Sequence, residues 1–290
     1  MKLSAAYVPG KFGLSFELFP PKTPQGITSL FQHVTRLVEI KPSFITCTYG
    51  AGGSTQELTL DIVARVHREF GLPVATHLTC VGRTVDQLRE YLRTAHTSGV
   101  ANVVALRGDP PKGDATFTPV AGGFRYANEL VSLIHGEFPE FGIAVAGYPE
   151  THQEAPSPDD DLANLKRKVD SGADVVVTQL FYNNDDFFRF RDRCHALGIR
   201  LPIVPGLLPV TNFAQIKRIT SLCGAQLPGP FVRRLEEAGD AVDAQFDIGV
   251  EFATRQTQEL IEAGVPGIHF YVLNRSEAAA AVLENVRLQA

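Results

Sequence analysis

No run of about 18 apolar residues occurs anywhere in the 290-residue chain, so no helix is expected to span a membrane. The N-terminus, MKLSAAYVPGKFG, lacks the long apolar core that a secretory signal needs. Cysteine is scarce. Cys47, Cys80, Cys194 and Cys223 show no C-x-x-C spacing, and a chain this long needs no disulfide staples, so free thiols and a reducing, cytoplasmic location are expected. Positive charge is not in excess either. A net charge of −5 and a pI near 5.9 give no electrostatic reason to expect nucleic acid or an anionic membrane. His67, His77 and His96 stand apart, with no H-x-x-x-H and no carboxylate pair at ligand spacing, so no metal is expected. Ser-His-Asp order, a nucleophile elbow and a phosphate-cradling P-loop are all missing. Lys166 and Lys168 fall on a helix, which leaves no strand-end lysine for Schiff-base chemistry.

What remains is ordinary globular composition, 44% hydrophobic and 20% charged, with one unusual stretch. In NVVALRGDPP (102–111), Val103, Val104, Ala105 and Leu106 form a short apolar strand. Pro110 and Pro111 forbid its continuation, so it ends at Arg107, Gly108 and Asp109. A cation, a residue that lets backbone approach and an anion are thereby fixed at one strand tip. They read either as a ligand site or as a salt bridge in a surface turn.

The rest of the chain repeats strand and helix. Strands are expected at 12–19, 44–49, 74–80, 102–107, 143–148, 175–179, 203–206 and 268–273. Helices are expected at 25–40, 55–70, 84–97, 124–138, 159–171, 185–197, 212–222, 228–238, 243–263 and 276–286, from their apolar stripes. Strict alternation implies parallel strands joined by right-handed crossovers. Eight such units predict an α/β fold, a single (β/α)8 TIM barrel spanning residues 1–290. The alternative, an open doubly wound sheet, normally carries G-x-G-x-x-G after its first strand, where this chain has FPPK.

Ligands of such a barrel bind at the C-terminal strand ends. Those ends carry Glu17, Thr48, Tyr49, His77, Thr79, Arg107, Asp109, Tyr148, Gln179, Asn274 and Arg275. Glu17 is surrounded by Phe16, Leu18 and Phe19, so it reads as a carboxyl of raised pKa or as one half of an ion pair with Arg275. His77 reads as a core histidine or a site residue, and the glycine-rich turn at 50–53 as a place where a ligand meets backbone. Asn164, Arg167 and Lys168 share a helix face with Asp161 one turn earlier. That face suits a pyrophosphate and a ribose, or simply solvent.

FELFPPK, TYGAGG, HLTC, ALRGDPP, GYPETH, NLKRKVDSGAD, TQLFY, PGLLPV and FYVLNR occur in this order over about residues 15 to 276. In these motifs the chain resembles the methylenetetrahydrofolate reductases, flavin enzymes built on the same barrel. The resemblance implies noncovalent FAD, NADH or NADPH as donor, methylenetetrahydrofolate as substrate and a homo-oligomer, dimer or tetramer. It implies that Glu17 is the catalytic acid that opens the folate's five-membered ring, and that Asp109 lies beside flavin and pterin. It places Thr48, His77, Leu106, Arg107, Gly108, Tyr126, Ala127, Tyr148 and His152 on the flavin, and Asp161, Asn164, Arg167 and Lys168 on the dinucleotide. Gln179, Gln215 and Arg275 fall on substrate positions. Ile219 departs from the pattern, since some bacterial members carry an aromatic there that packs on substrate. The chain stops after the barrel, so the control by S-adenosylmethionine known from eukaryotic members is expected to be absent.

The implied chemistry is ping-pong: nicotinamide reduces the flavin and leaves, then folate takes the hydride. Ring opening to an iminium needs a proton donor and a nearby anion, the roles of Glu17 and Asp109. Two rivals remain. A flavin-free pterin-binding barrel methyltransferase would be colourless, and a non-catalytic flavin- or folate-binding barrel would not oxidise NAD(P)H.

Overall fold

The computed structural model describes residues 1–49, 55–110, 113 and 116–287. The glycine turn at 50–53 and Pro111 lie outside the described residues. The expected alternation is present: β1 (Gly13–Leu18), α1 (Pro24–Glu39), β2 (Phe44–Cys47), α2 (Gln56–Phe70), β3 (Val74–Thr79), α3 (Val85–Thr97), β4 (Asn102–Leu106), α4 (Ala127–Glu137), β5 (Gly142–Gly147), α5 (Pro158–Asp170), β6 (Val175–Thr178) and α6 (Asn184–Ala196). After these come β7 (Ile203–Val204), β8 (Gly206–Leu207), α7 (Phe213–Cys223), α8 (Gly229–Glu237), α9 (Val242–Glu262), β9 (Gly267–Tyr271) and α10 (Glu277–Asn285). Every strand pair is parallel, in the order β7-β6-β5-β4-β3-β2-β1-β9-β8, a nearly closed (β/α)8 barrel in one domain.

The seventh barrel strand differs from the expected 203–206. Pro205 splits it, because proline has no N–H to give the ladder. Ile203 and Val204 pair with β6, whereas Gly206 and Leu207 pair with β9. The Pro205 carbonyl accepts the His269 N–H at 3.0 Å, so the broken strand still closes the barrel.

Alternation within the strands separates two cores. Phe16, Leu18, Ile45, Val103 and Val145 face outward onto Leu30, Val34, Leu37, Val63, Val66 and Leu92 of the surrounding helices. The inner cluster is small: Phe44, Ala75, Val104, Ala144, Val175 and Val204, closed from below by Leu3, Ala6 and Tyr7. Leu3–Ala6 is a short 3-10 helix unforeseen in the sequence, pinned by the Leu3 N–H on Asn102 Oδ1 at 2.9 Å. Because the plug and small inner residues fill only the lower barrel, the upper barrel is free to open as a cleft. A third cluster, with Phe231 stacked on Phe252 at 4.0 Å, joins α7, α8 and α9 to Leu180 and Leu208 beyond the strand tips. It walls one side of that cleft.

Candidate active site

A cavity of about 430 Å³ runs from the strand tips down the barrel axis. Glu17, Thr48, His77, Leu106, Arg107, Gly108, Asp109, Tyr148, His152 and Gln179 line it, as do Ile219, His269 and Tyr271. A second cavity of about 630 Å³ opens beside it between β4, β5 and α5. Tyr126, Ala127, Asp161, Asn164, Arg167 and Lys168 line this one, and Leu106, Arg107, Tyr148 and His152 belong to both. Residues from Glu17 to Tyr271, 254 positions apart in sequence, thus form two joined clefts. Gln215 and Arg275 line neither: Gln215 sits in the first turn of α7 and Arg275 is exposed beyond β9.

At the floor of the first cavity, Glu17 meets two imidazoles rather than Arg275. Its Oε2 lies 3.1 Å from His77 Nε2 and 3.5 Å from His269 Nε2. The other ring nitrogen of His269 is 2.7 Å from Ser15 Oγ. Burial raises the Glu17 carboxyl, but the charges and hydrogen bonds of His77 and His269 outweigh it and bring the pKa down to about 2. The apolar neighbours do not decide this group, because Phe16 and Leu18 point to the opposite face of β1 and its own face carries imidazoles. The expectation of a raised pKa is corrected accordingly.

Arg107 is also paired differently from the simplest reading. Its guanidinium grips Glu154 with bonds of 2.5 and 2.7 Å, leaving Asp109 exposed at the mouth. Gly108 has φ +87°, and a Cβ there would lie 2.8 Å from Val81 and 2.9 Å from Thr79, so glycine is required at this tip. Asn274, read as a strand-tip candidate, instead clamps the Phe19 backbone, accepting from its N–H at 2.8 Å and donating to its carbonyl.

In the second cleft the α5 face is ordered from within. The His152 N–H donates to Asp161 Oδ2 at 3.0 Å, Arg167 donates to Asn164, and Lys168 Nζ donates to the Ala146 carbonyl at 2.5 Å. Loss of water pulls the Lys168 ammonium down to about 8, only partly offset by Asp161. Tyr126 is exposed at the cleft and Tyr148 half-buried in it. Thr151, a β-branched residue at φ +77°, holds strain in the turn that aims His152 into both cavities.

Glu150, in the same turn, joins the two sides of the site. Its Oε1 accepts the Gln226 N–H at 2.8 Å, and its Oε2 is buried without a partner. Burial raises its carboxyl to about 7, with Gln226 opposing and Asp186 adding to the rise. A folded value above the unfolded 4.5 favours the fold at low pH, and that contribution is lost as pH climbs through 7. Glu150→Gln keeps the acceptor and removes the charge. At pH 8 it is expected to melt about 2 °C above the wild type, for a screened effect on the order of 1 kcal/mol. Thermal melts at pH 8 and pH 5 check this, the gap closing at the lower pH.

Ser15, His269 and Glu150 were not singled out in the sequence. His269 had a signal: in GIHFY it lies on the same strand face as a tip residue, two positions below it. Among the described residues no group of three or more His, Cys, Asp or Glu side chains is arranged to hold a metal ion, and no helix is long and apolar enough to cross a membrane.

A family model described as methylenetetrahydrofolate reductase matches residues 2–287. The Escherichia coli 5,10-methylenetetrahydrofolate reductase is 39% identical over 279 residues, which cover 96% of this chain and 92% of that protein. The Arabidopsis thaliana methylenetetrahydrofolate reductase (NADH) 1 is 39% identical over 297 residues, 99% of this chain and 50% of the plant protein. The chain thus spans about half the length of the plant relatives it matches. Among solved structures, an uncharacterised Clostridium thermocellum protein that binds two copies of 5-methyl-5,6,7,8-tetrahydrofolic acid superposes with a TM-score of 0.66 at 14% identity, covering 94% of this chain and 93% of that one. At that identity the likeness is one of fold.

Proposed function

The chain belongs to the methylenetetrahydrofolate reductase family, and on that premise we propose that it is an FAD-dependent 5,10-methylenetetrahydrofolate reductase drawing hydride from NADH or NADPH. The observation that carries this reading is the pair of joined clefts, one ending on a half-buried carboxylate between two imidazoles and the other lined by cations. The NADH in the names of the plant relatives favours that donor.

The second cleft suits FAD. Lys168 is withdrawn from water and, among the described residues, no carboxylate forms a salt bridge with it, so it favours an anion such as a pyrophosphate. Arg167 and Asn164 stand beside it, Asp161 suits a ribose hydroxyl, and Tyr126 offers an exposed ring. Thr48, His77, Leu106, Arg107, Gly108, Asp109, Ala127, Tyr148 and His152 would complete the hold where the clefts meet. Bound there, the flavin would supply hydride transfer, first from nicotinamide and then to the folate, in ping-pong order.

The residues of this chain supply position, charge and protons. Glu17 gives the proton that opens the folate ring. With its carboxyl held low by the imidazoles beside it, Glu17 acts as a relay that passes a proton to the substrate through Oε2. Asp109, exposed at the mouth, supplies the anion for the iminium. Gln179 presents an amide that both donates and accepts, which fits one edge of a pterin. Gln215 and Arg275, outside the clefts, are left for the distal part of the folate.

The test is the absorbance of purified protein, taken anaerobically before and after NADH and again after methylenetetrahydrofolate. A yellow protein that bleaches and then recovers is expected. A folded preparation that cannot be loaded with FAD would sink the reading. One that bleaches but never recovers would reduce it to a flavin-binding barrel.

A further inference from the structure

The turn after β5 and the segment after α7 interlock at two places. Glu150 Oε1 accepts the Gln226 N–H at 2.8 Å. Three residues on, the Gln153 side chain lies against Gly224, where a Cβ would fall 2.9 Å from Gln153 Nε2. Gly224 has φ +82° and ends α7, its N–H bonded to the Thr220 carbonyl at 2.8 Å. Between the two contacts stands Thr151 at φ +77°. A β-branched residue keeps that conformation only where its flanks are pinned. The two sides of the interlock serve different parts of the site. Tyr148 and His152, with ring centroids 4.7 Å apart, lie in the turn and line both cavities. Ile219, one helical turn before the end of α7, lines the first cavity alone.

Only one oxygen of the Glu150 carboxyl is satisfied. Oε2 is buried with no partner among the described residues. A neutral carboxyl leaves one hydroxyl unpaired there, whereas an ionised one leaves a buried charge, which costs far more. The nearby cations do not relieve it. Arg189 and Arg193 share a third cavity of about 300 Å³ with Glu150, but Arg189 donates to Asp186, and Arg193 donates to Asp159 at 2.6 Å. Asp186, in the first turn of α6, repels a charge on Glu150, and Asp161 lines the same cavity. Tyr182 before α6 and Cys223 at the end of α7 also face it, and burial keeps both neutral.

We propose that Glu150 is a positioning residue for the α7 wall of the first cavity: neutral, it clasps the end of α7 to the turn that carries Tyr148 and His152, and ionised, it lets go. This rests on the reading of the first cavity as the place of the folate. A clasped α7 holds Ile219 at the cavity. A released α7 draws it away while the turn stays on β5, so folate binding weakens and flavin reduction does not. Burial lifts the carboxyl to about 7, so the clasp is closed below that pH and is lost as pH climbs through it.

The test compares wild type with Glu150→Gln and Glu150→Ala at pH 6 and pH 8, each shown by melting to be folded. Glutamine keeps the acceptor for Gln226 and never ionises, and alanine has no clasp at either pH. Hydrogen exchange at the Gln226 amide, corrected for its intrinsic rate, reads the clasp on the protein as purified. Wild type is expected to protect this amide at pH 6 and lose the protection at pH 8, Glu150→Gln to protect it at both, and Glu150→Ala at neither. In stopped-flow, the methylenetetrahydrofolate concentration for half-maximal reoxidation should rise at least ~3-fold from pH 6 to pH 8 in wild type. It should stay low in Glu150→Gln and high in Glu150→Ala, and flavin reduction by NADH in Glu150→Gln should match wild type. His152, two positions on, is held below the usual imidazole range by burial and by Arg107. A pH dependence that persists in Glu150→Gln would therefore belong to His152 and overturn the proposal. Protection of Gln226 that ignores pH in wild type, or half-saturation that does not follow the protection, would overturn it too. If the wild-type flavin is not reoxidised by the folate, the functional reading fails, and exchange at Gln226 still decides whether the clasp exists.

Discussion

Glu17→Gln is expected to remain folded and yellow, to accept hydride from NAD(P)H at near-normal rate, and to lose at least ~10²-fold in reoxidation by methylenetetrahydrofolate. Hydride transfer to the flavin needs no proton donor of this kind, whereas ring opening does. Glutamine keeps the size and one acceptor for His269 Nε2, 3.5 Å away. It removes the charge that gathers His77 and His269, and with it the route by which a proton reaches the substrate. Stopped-flow measurement of the two half-reactions separates the outcomes. Loss of both halves would mark Glu17 as structural glue, and near-normal reoxidation would place the proton elsewhere. Stability gives an independent check. With a folded pKa near 2 against 4.5 unfolded, the ionised carboxylate favours the fold above pH 4.5, and that contribution is lost as pH falls from 4.5 towards 2. The difference in stability between wild type and variant should therefore change within that acid window.

The strand tips were legible in the sequence because prolines punctuate them: Pro20 after Glu17, Pro110 after Asp109, Pro149 after Tyr148. Those positions form the two clefts. What could not be read was the company each residue keeps. Glu17 and His269 are 252 positions apart, and only the register of the closing β1–β9 pair makes them neighbours. Arg107 pairs with Glu154, 47 residues on, through a loop whose path no periodicity records. The plug at Leu3–Ala6 is a single turn, too short for an apolar stripe to announce it. The break at Pro205 did leave a trace, because a proline within IVPGLL argues against one continuous strand.

That break makes Gly206→Ala the most damaging of the small substitutions near the site. Gly206 is the first residue of the closing half-strand. Its N–H donates to Thr178 Oγ1 at 2.9 Å, and it lies in register with His269. A Cβ there would sit 2.2 Å from the Thr178 carbonyl oxygen, 2.7 Å from Tyr271 Cε2 and 2.9 Å from the Tyr271 hydroxyl. The same carbonyl accepts the Tyr271 O–H at 2.7 Å, so the added methyl strikes both partners of one half-buried hydrogen bond. Overpacking costs about 1–3 kcal/mol, and loss of that bond adds about 0.5–1.5 kcal/mol. The melting temperature is expected to fall by roughly 5–10 °C. Tyr271 stands opposite Glu17 and edge-on to His269, with ring centroids 5.1 Å apart, so reoxidation by the folate should suffer more than flavin reduction. Tyr271→Phe should not rescue the variant, because the nearest obstruction is backbone. Gly136→Ala, on α4 with nothing within 4 Å of its Cβ, is the control and should melt at or above wild type. If Gly206→Ala melts like that control, the barrel yields at its seam and the closure is looser than these contacts require.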